Sequence, residues 1–138
     1  MLTPYERAEM VTALSAIREQ IRWKPNKGIR HLEKRKRMGH LPPHYSLEDY
    51  NKVISSIVGD GQNLAYLYEF AGERYYAVRG SFKEREWLVI FGREGIMETA
   101  FPPEEMEQYL TRRGFMFVGR IKEVLRWSEL KNSSRNSP

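Results

Sequence analysis

The sequence predicts an α+β fold, with N-terminal helices packed on a four-stranded antiparallel sheet and a fifth strand as an open option. Three observations lead there. Apolar residues recur at helical spacing up to Val58 and then alternate or run continuously from Leu64 to Phe101. Helix-capping patterns fall in the first part, and Gly-containing turns fall in the second. The links between the candidate strands are too short for parallel crossovers, so helices first and sequential strands later imply a meander.

The first helix opens on Thr3 as cap, Pro4 in the first turn and Glu6 completing a T-x-x-E capping box. Met10, Leu14, Ile17 and Ile21 form its apolar stripe, and Pro25, Asn26 and Gly28 are expected to end it. Residues 29–37 predict a short, strongly basic helix with a thin apolar side, Ile29 and Leu32. Ser46 and Asp49 cap a third helix whose stripe is Tyr50, Val53, Ile54, Ile57 and Val58.

Leu64–Phe70 alternates as a strand, Ala71-Gly72-Glu73 turns it, and Arg74–Gly80 returns. Glu86–Gly92 is the most apolar run and is expected at the centre of the sheet. Arg93-Glu94-Gly95 turns into Ile96–Phe101. Pro102 and Pro103 stop that strand, and Pro103 is expected to start a short helix with Met106, Tyr109 and Leu110 facing inward. Phe115–Arg120 is the candidate fifth strand, and Ile121, Val124 and Leu125 fit a terminal helix. The chain divides into one domain over 1–127 and a polar tail expected to be flexible over 128–138.

At 138 residues, 41% hydrophobic and 30% charged, the composition suits one globular core. The absence of cysteine excludes disulfides, thiolate metal sites and a cysteine nucleophile. Neither a signal-peptide core nor a membrane-length apolar run is seen, so the expected site of action is the cytoplasm, with non-classical export left open.

The charge is uneven. Arg22 to His40 carries eight Lys/Arg against Glu33 alone, a local +7 that exceeds the +5 of the whole chain. All three histidines, His31, His40 and His44, lie in or just after this block. Fixed cations bind phosphates, and an imidazole among them can move a proton near neutral pH. A helix over 29–37 places Lys34 and Arg35 beside His31. Neighbouring cations would keep that imidazole neutral, as a base requires. His40 and His44 match no strong metal spacing and read as loop residues; no metal or other cofactor is expected.

Arg79 shares a strand face with Tyr75 and Ala77 and is a candidate phosphate clamp, with Arg74 as the alternative cation. Thr99, opposite in facing to Glu98, is a candidate donor to a phosphate oxygen. Lys34, Arg35, Arg37, Arg74 and Lys83 are candidate nucleic-acid contacts, and Tyr75 and Tyr76 are candidate stacking residues. A Gly-rich phosphate loop, a nucleophile elbow and H-E-x-x-H are all missing from the sequence. The chain has only two aspartates, Asp49 and Asp60, both outside the expected strands, which disfavours a two-metal nuclease.

Three segments together resemble a known family. They are His31-Leu32-Glu33-Lys34-Arg35, Tyr75-Tyr76-Ala77-Val78-Arg79, and Arg93-Glu94-Gly95-Ile96-Met97-Glu98-Thr99-Ala100-Phe101-Pro102-Pro103. In order and spacing they resemble the phage- and toxin-associated nucleases of the barnase–EndoU–colicin E5/D–RelE superfamily. That resemblance implies N-terminal helices before an antiparallel sheet. It also implies a helical His in an H-x-x-K/R pattern (His31), a cation on a middle strand (Arg79 or Arg74) and a late-strand hydroxyl (Thr99).

The leading expectation is therefore a metal-independent endoribonuclease of toxin or mobile-element type, with His31, Arg79 and Thr99 catalytic. It would leave a 2′,3′-cyclic phosphate on tRNA or single-stranded RNA, and an acidic immunity or antitoxin protein would be a natural partner. The competing expectations are a non-catalytic nucleic-acid-binding module and a basic protein-interaction domain.

Overall fold

The computed structural model describes residues 2–135, with side chains described up to Ser128. Helices α1 (Pro4–Glu19), α2 (Lys27–Arg37) and α3 (Leu47–Val58) precede strands β1 (Leu64–Phe70), β2 (Glu73–Phe82), β3 (Arg85–Phe91) and β4 (Met97–Phe101). Helix α4 (Met106–Arg113), strand β5 (Met116–Arg120) and helix α5 (Ile121–Arg135) follow. The expected α+β class holds, and the sheet is five-stranded, in the order β4-β3-β2-β1-β5, with every neighbouring pair antiparallel.

Both expected capping boxes form. Thr3 and Glu6 exchange side-chain-to-backbone bonds at α1, and Ser46 and Asp49 do so at α3. These reciprocal bonds satisfy amides that a helix start leaves unpaired. Helix α1 stops at Glu19, earlier than Pro25 suggests. The next residues leave it because Arg22 pairs in parallel with Ile96, its carbonyl accepting from the Met97 amide at 2.9 Å. The segment thereby covers part of the exposed edge of β4.

The sheet separates two apolar layers. On one face, residues of α1, α2, α3 and α5 pack on Tyr76, Val78, Trp87, Val89, Phe91 and Ala100. On the other, Met106 and Leu110 of α4 cover Tyr66, Ala77, Leu88 and Ile90. Truncating a buried leucine or isoleucine in either layer to alanine would cost about 2–5 kcal/mol.

Two expectations change. The apolar run of β3 does not mark the centre of the sheet, because β5 adds beside β1 and leaves β2 central. The run is apolar because both faces of β3 are covered. The helix expected from Pro103 starts at Met106. Helix α5 runs on through Ser128 to Arg135, and 136–138 of the expected tail lie outside the described residues.

Two glycines set the approach of α1 and α2. At Gly95 the backbone has φ +79°, and a Cβ would stand 2.9 Å from that of Ala16, so the turn before β4 fits only as glycine. At Gly28 a Cβ would press on the Trp23 ring at 3.0 Å and on Leu47 at 3.1 Å. Its absence lets the first turn of α2 settle against that indole.

Candidate functional site

Helix α2 lies along the outer side of β4 and meets it in three rungs. Lys27, His31 and Arg35 are four residues apart and so share one face of the helix. The Lys27 ammonium pairs with the Glu98 carboxylate at 2.6 Å. The His31 Nδ1 and Thr99 Oγ1 atoms are hydrogen-bonded at 2.9 Å. The Arg35 guanidinium lies over the Phe101 ring, 5.4 Å from its centroid. A register shift between Ile90 and Phe91 makes Glu98 the extra residue of β4, which turns both Glu98 and Thr99 to partners on α2.

The His31 ring is held from behind. The Trp23 indole lies 5.5 Å away, tilted by 32°, and is itself fixed by donating from Nε1 to Asn51 Oδ1 at 2.9 Å. Partial burial, then the cations Lys27, Arg35, Lys34 and Arg30, hold the His31 pKa below its ordinary value. The imidazole is thus neutral near pH 7. In the tautomer that leaves Nε2 unprotonated, Nδ1–H donates to Thr99 and the threonine hydroxyl proton is free for another acceptor.

Around this pair, Arg30, Lys34 and Arg37 are exposed cations of α2. Arg35 is not: it is 3% exposed, donates from Nη1 to His40 Nδ1 at 3.2 Å, and has a buried Nε without a partner. Its burial depresses its own pKa. Burial first, then Arg35 and Arg85, lower the pKa of His40, with Glu104 acting in the opposite direction.

The other expected residues scatter. Arg79 shares the α4-side face of the sheet with Thr99, but register places their Cα atoms about 12 Å apart. Its guanidinium is taken up by Glu86 at 2.8 and 3.1 Å and by Glu107 at 2.7 Å. Those hydrogen bonds, Glu86 first, outweigh burial and raise its pKa. Arg79 therefore ties α4 to the β2–β3 hairpin, and both edges of its guanidinium are paired with carboxylates, away from the His31–Thr99 pair.

Arg74 faces α1 on the opposite side and pairs with Glu6 at 2.6 Å and Glu9 at 3.3 Å. Burial opposes its charge, but Glu6, Tyr76 and Glu9 together raise its pKa. It too is spent on the fold. Tyr76 is 1% exposed in the main core, its hydroxyl donating to Glu9, so it cannot stack a base. Tyr75 remains half-buried on the Thr99 side, where Tyr68 neighbours it. Lys83 sits in the β2–β3 turn, six residues beyond Ala77 and so about 20 Å along the sheet from the level of Thr99. His44 is an exposed loop residue.

The site thus contains His31, Thr99, Lys34 and Arg35 from the sequence reading. It adds Lys27, Trp23, Glu98 and His40. The i, i+4 spacing of Lys27 before His31 was the available signal for the first of these; the contacts of Trp23 and Glu98 depend on long-range packing. Among the described residues, no group of three or more His, Asp or Glu is arranged to hold a metal ion, and no helix is long and apolar enough to cross a membrane. Comparison with protein families, curated proteins and solved structures found no match to this chain.

Proposed function

We propose that the protein is a metal-independent endoribonuclease centred on His31 and Thr99. The observation that carries the reading is the 2.9 Å contact between a partly buried, base-poised imidazole and a strand hydroxyl within a field of cations. The likeness of the segments around His31 and Thr99 to the barnase–EndoU–colicin E5/D–RelE nucleases is in line with it, while the middle-strand cation that the likeness implies, Arg79 or Arg74, lies away from the pair.

In this mechanism His31 Nε2 takes the proton from a ribose 2′-OH. The freed oxygen attacks the adjacent phosphorus, the P–O5′ bond breaks, and a 2′,3′-cyclic phosphate remains. The proton passes on to the leaving 5′-oxygen. Thr99 O–H donates to a non-bridging oxygen as charge develops there, and Lys34 supplies charge at the mouth of the site. Lys27 joins them only when it exchanges Glu98 for phosphate. Tyr75 is the base-stacking candidate.

The experiment is incubation of the protein with total tRNA and a labelled single-stranded RNA in EDTA, beside His31→Ala. Cleavage that survives EDTA and disappears in the variant is the expected outcome; undiminished cleavage by the variant removes His31 from the mechanism. A second reading, binding without turnover, draws on the exposed Arg30, Lys34 and Arg37. It expects salt-sensitive affinity, unaffected by His31→Ala, and no product.

A further inference from the structure

Beside the His31–Thr99 pair, a groove of about 460 Å³ opens between α2 and the β4–α4 segment, with Lys34, Arg35, His40, Phe101, Tyr109 and Arg113 in its wall. Arg35 is the feature there that the fold leaves incomplete. It is a buried charged residue, and it forms no ion pair with any described carboxylate. Its hydrogen-bond contacts are the His40 ring and, weakly, the Met38 sulfur at 3.9 Å, and its Nε has no partner. A guanidinium carries five donors and a charge that burial penalises unless an anion compensates it. Nothing in the surrounding apolar packing, Phe101 included, supplies that anion.

The mouth of the groove is built to attract one. Lys34, Arg112 and Arg113 stand at its rim; Glu104 and Glu105 are exposed and leave Arg35 unpaired. Arg35 follows His31 by one helical turn, about 6 Å along α2. That is the reach of two neighbouring phosphates on one strand.

We propose that Arg35 and His40 form a second phosphate subsite, which holds the phosphodiester adjoining the one cleaved at His31 and Thr99. The identity of the phosphate's carrier, an RNA strand, rests on the ribonuclease reading; the anion site itself stands on the unpaired arginine. His40 has a defined part in it. Because Arg35 Nη1 donates to Nδ1, the neutral ring carries its proton on Nε2, which makes Nε2–H a donor. A phosphate bound between the two residues would take up the Arg35 donors and so free Nδ1, would offset the cationic influence of Arg35 and Arg85, and would side with Glu104, so His40 becomes easier to protonate when the subsite is filled.

The test pairs a binding readout with a kinetic one. The ring resonances of the histidines are titrated against pH with and without inorganic phosphate. RNA cleavage is then measured for wild type, His40→Gln and Arg35→Met, with melting curves to confirm that the variants fold. The proposal expects phosphate to raise the His40 pKa in wild type but not in Arg35→Met. It expects KM for RNA to rise roughly tenfold in His40→Gln, the scale of one charge-assisted bond, with kcat near wild type. If RNA is cleaved but phosphate leaves His40 unmoved and KM is unchanged in His40→Gln, the subsite is overturned and the ribonuclease reading survives. If phosphate moves His40 yet no RNA is cleaved, the subsite stands and the ribonuclease reading falls.

Discussion

His31 Nδ1 and Thr99 Oγ1 meet at 2.9 Å although 68 positions separate them in the chain. A helix imidazole and a strand hydroxyl are thus joined by the fold itself, and the proposed mechanism gives them the parts of base and phosphate donor. Removing each partner should therefore separate their roles. His31→Ala should lower kcat by 10²–10⁴-fold, the usual contribution of a positioned acid or base. Thr99→Val keeps the strand shape and the base but removes the hydroxyl, and should lower kcat by roughly 10–100-fold with KM little changed. Single-turnover cleavage of a labelled RNA measures both.

The Lys27–Glu98 pair sits one helical turn before His31 and restrains a cation at the site. Glu98→Gln would release that cation to phosphate. The expected result is a several-fold lower KM and a slope of log affinity against log salt that is steeper by about one, as one more phosphate contact requires. Lys27→Ala should leave the slope as it is in the native protein. A Glu98→Gln variant with an unchanged salt slope would remove Lys27 from the binding surface.

Stability should depend on pH through the histidines. The folded pKa values of His31 and His40 both lie below the ordinary 6.5, so the unfolded chain binds more protons just below that value. Stability is then complete above about pH 7 and declines as pH falls through 6.5 toward the lowered values. The capping acids Glu6 and Asp49 are also lowered, from 4.5 and 3.8, and their contribution is lost only in more acid solution. Denaturation midpoints between pH 7 and 5 should thus fall in the native protein and flatten in a His31→Asn/His40→Asn double variant.

What the sequence makes legible is what local rules govern. The two capping boxes, the apolar stripes of α1 and α3 and the alternation of β1 are short-range patterns, and they appear where those patterns put them. Thr99 and His31 were legible as residue types in a basic context. Arg79 was not legible as a structural residue, because its partners Glu86 and Glu107 lie 7 and 28 positions away and only the placement of α4 brings the second into reach. The burial of Arg35 within a helix of charged neighbours was hidden for the same reason: its environment is made by Phe101, a residue of β4. The central place of β2 depended on where β5 joins, which no pattern within β3 encodes.

Arg79 offers the corresponding negative control. Its bonds to Glu86 and Glu107 tie α4 to the sheet, while its position is two strands and two residues from Thr99. Arg79→Met should cost ~1–2 kcal/mol of stability, toward the low end because both carboxylates are exposed. At temperatures where the variant stays folded, kcat and KM should be those of the native protein. A hundredfold loss of kcat in a folded Arg79→Met would return this residue to the catalytic set.

Tyr50 links the core to the site by a route that does not touch substrate. Its buried hydroxyl donates to the Ala100 carbonyl at 2.6 Å, and burial raises its pKa, so it remains a donor at every physiological pH. Ala100 follows Thr99 in β4, and the Tyr50 ring also lies against Trp23, the residue behind His31. The hydroxyl thus fixes the strand on one side of the His31–Thr99 pair while the ring braces the other. Tyr50→Phe keeps the ring and leaves the Ala100 carbonyl without that donor, at a cost of about 1–3 kcal/mol. The consequence for activity should be a lower kcat without any change in the pH at which His31 titrates, because the hydroxyl sets position and not charge. Chemical denaturation, a kcat measurement and a histidine NMR titration on the one variant check all three; a shifted His31 titration would mean that Tyr50 acts on the imidazole itself.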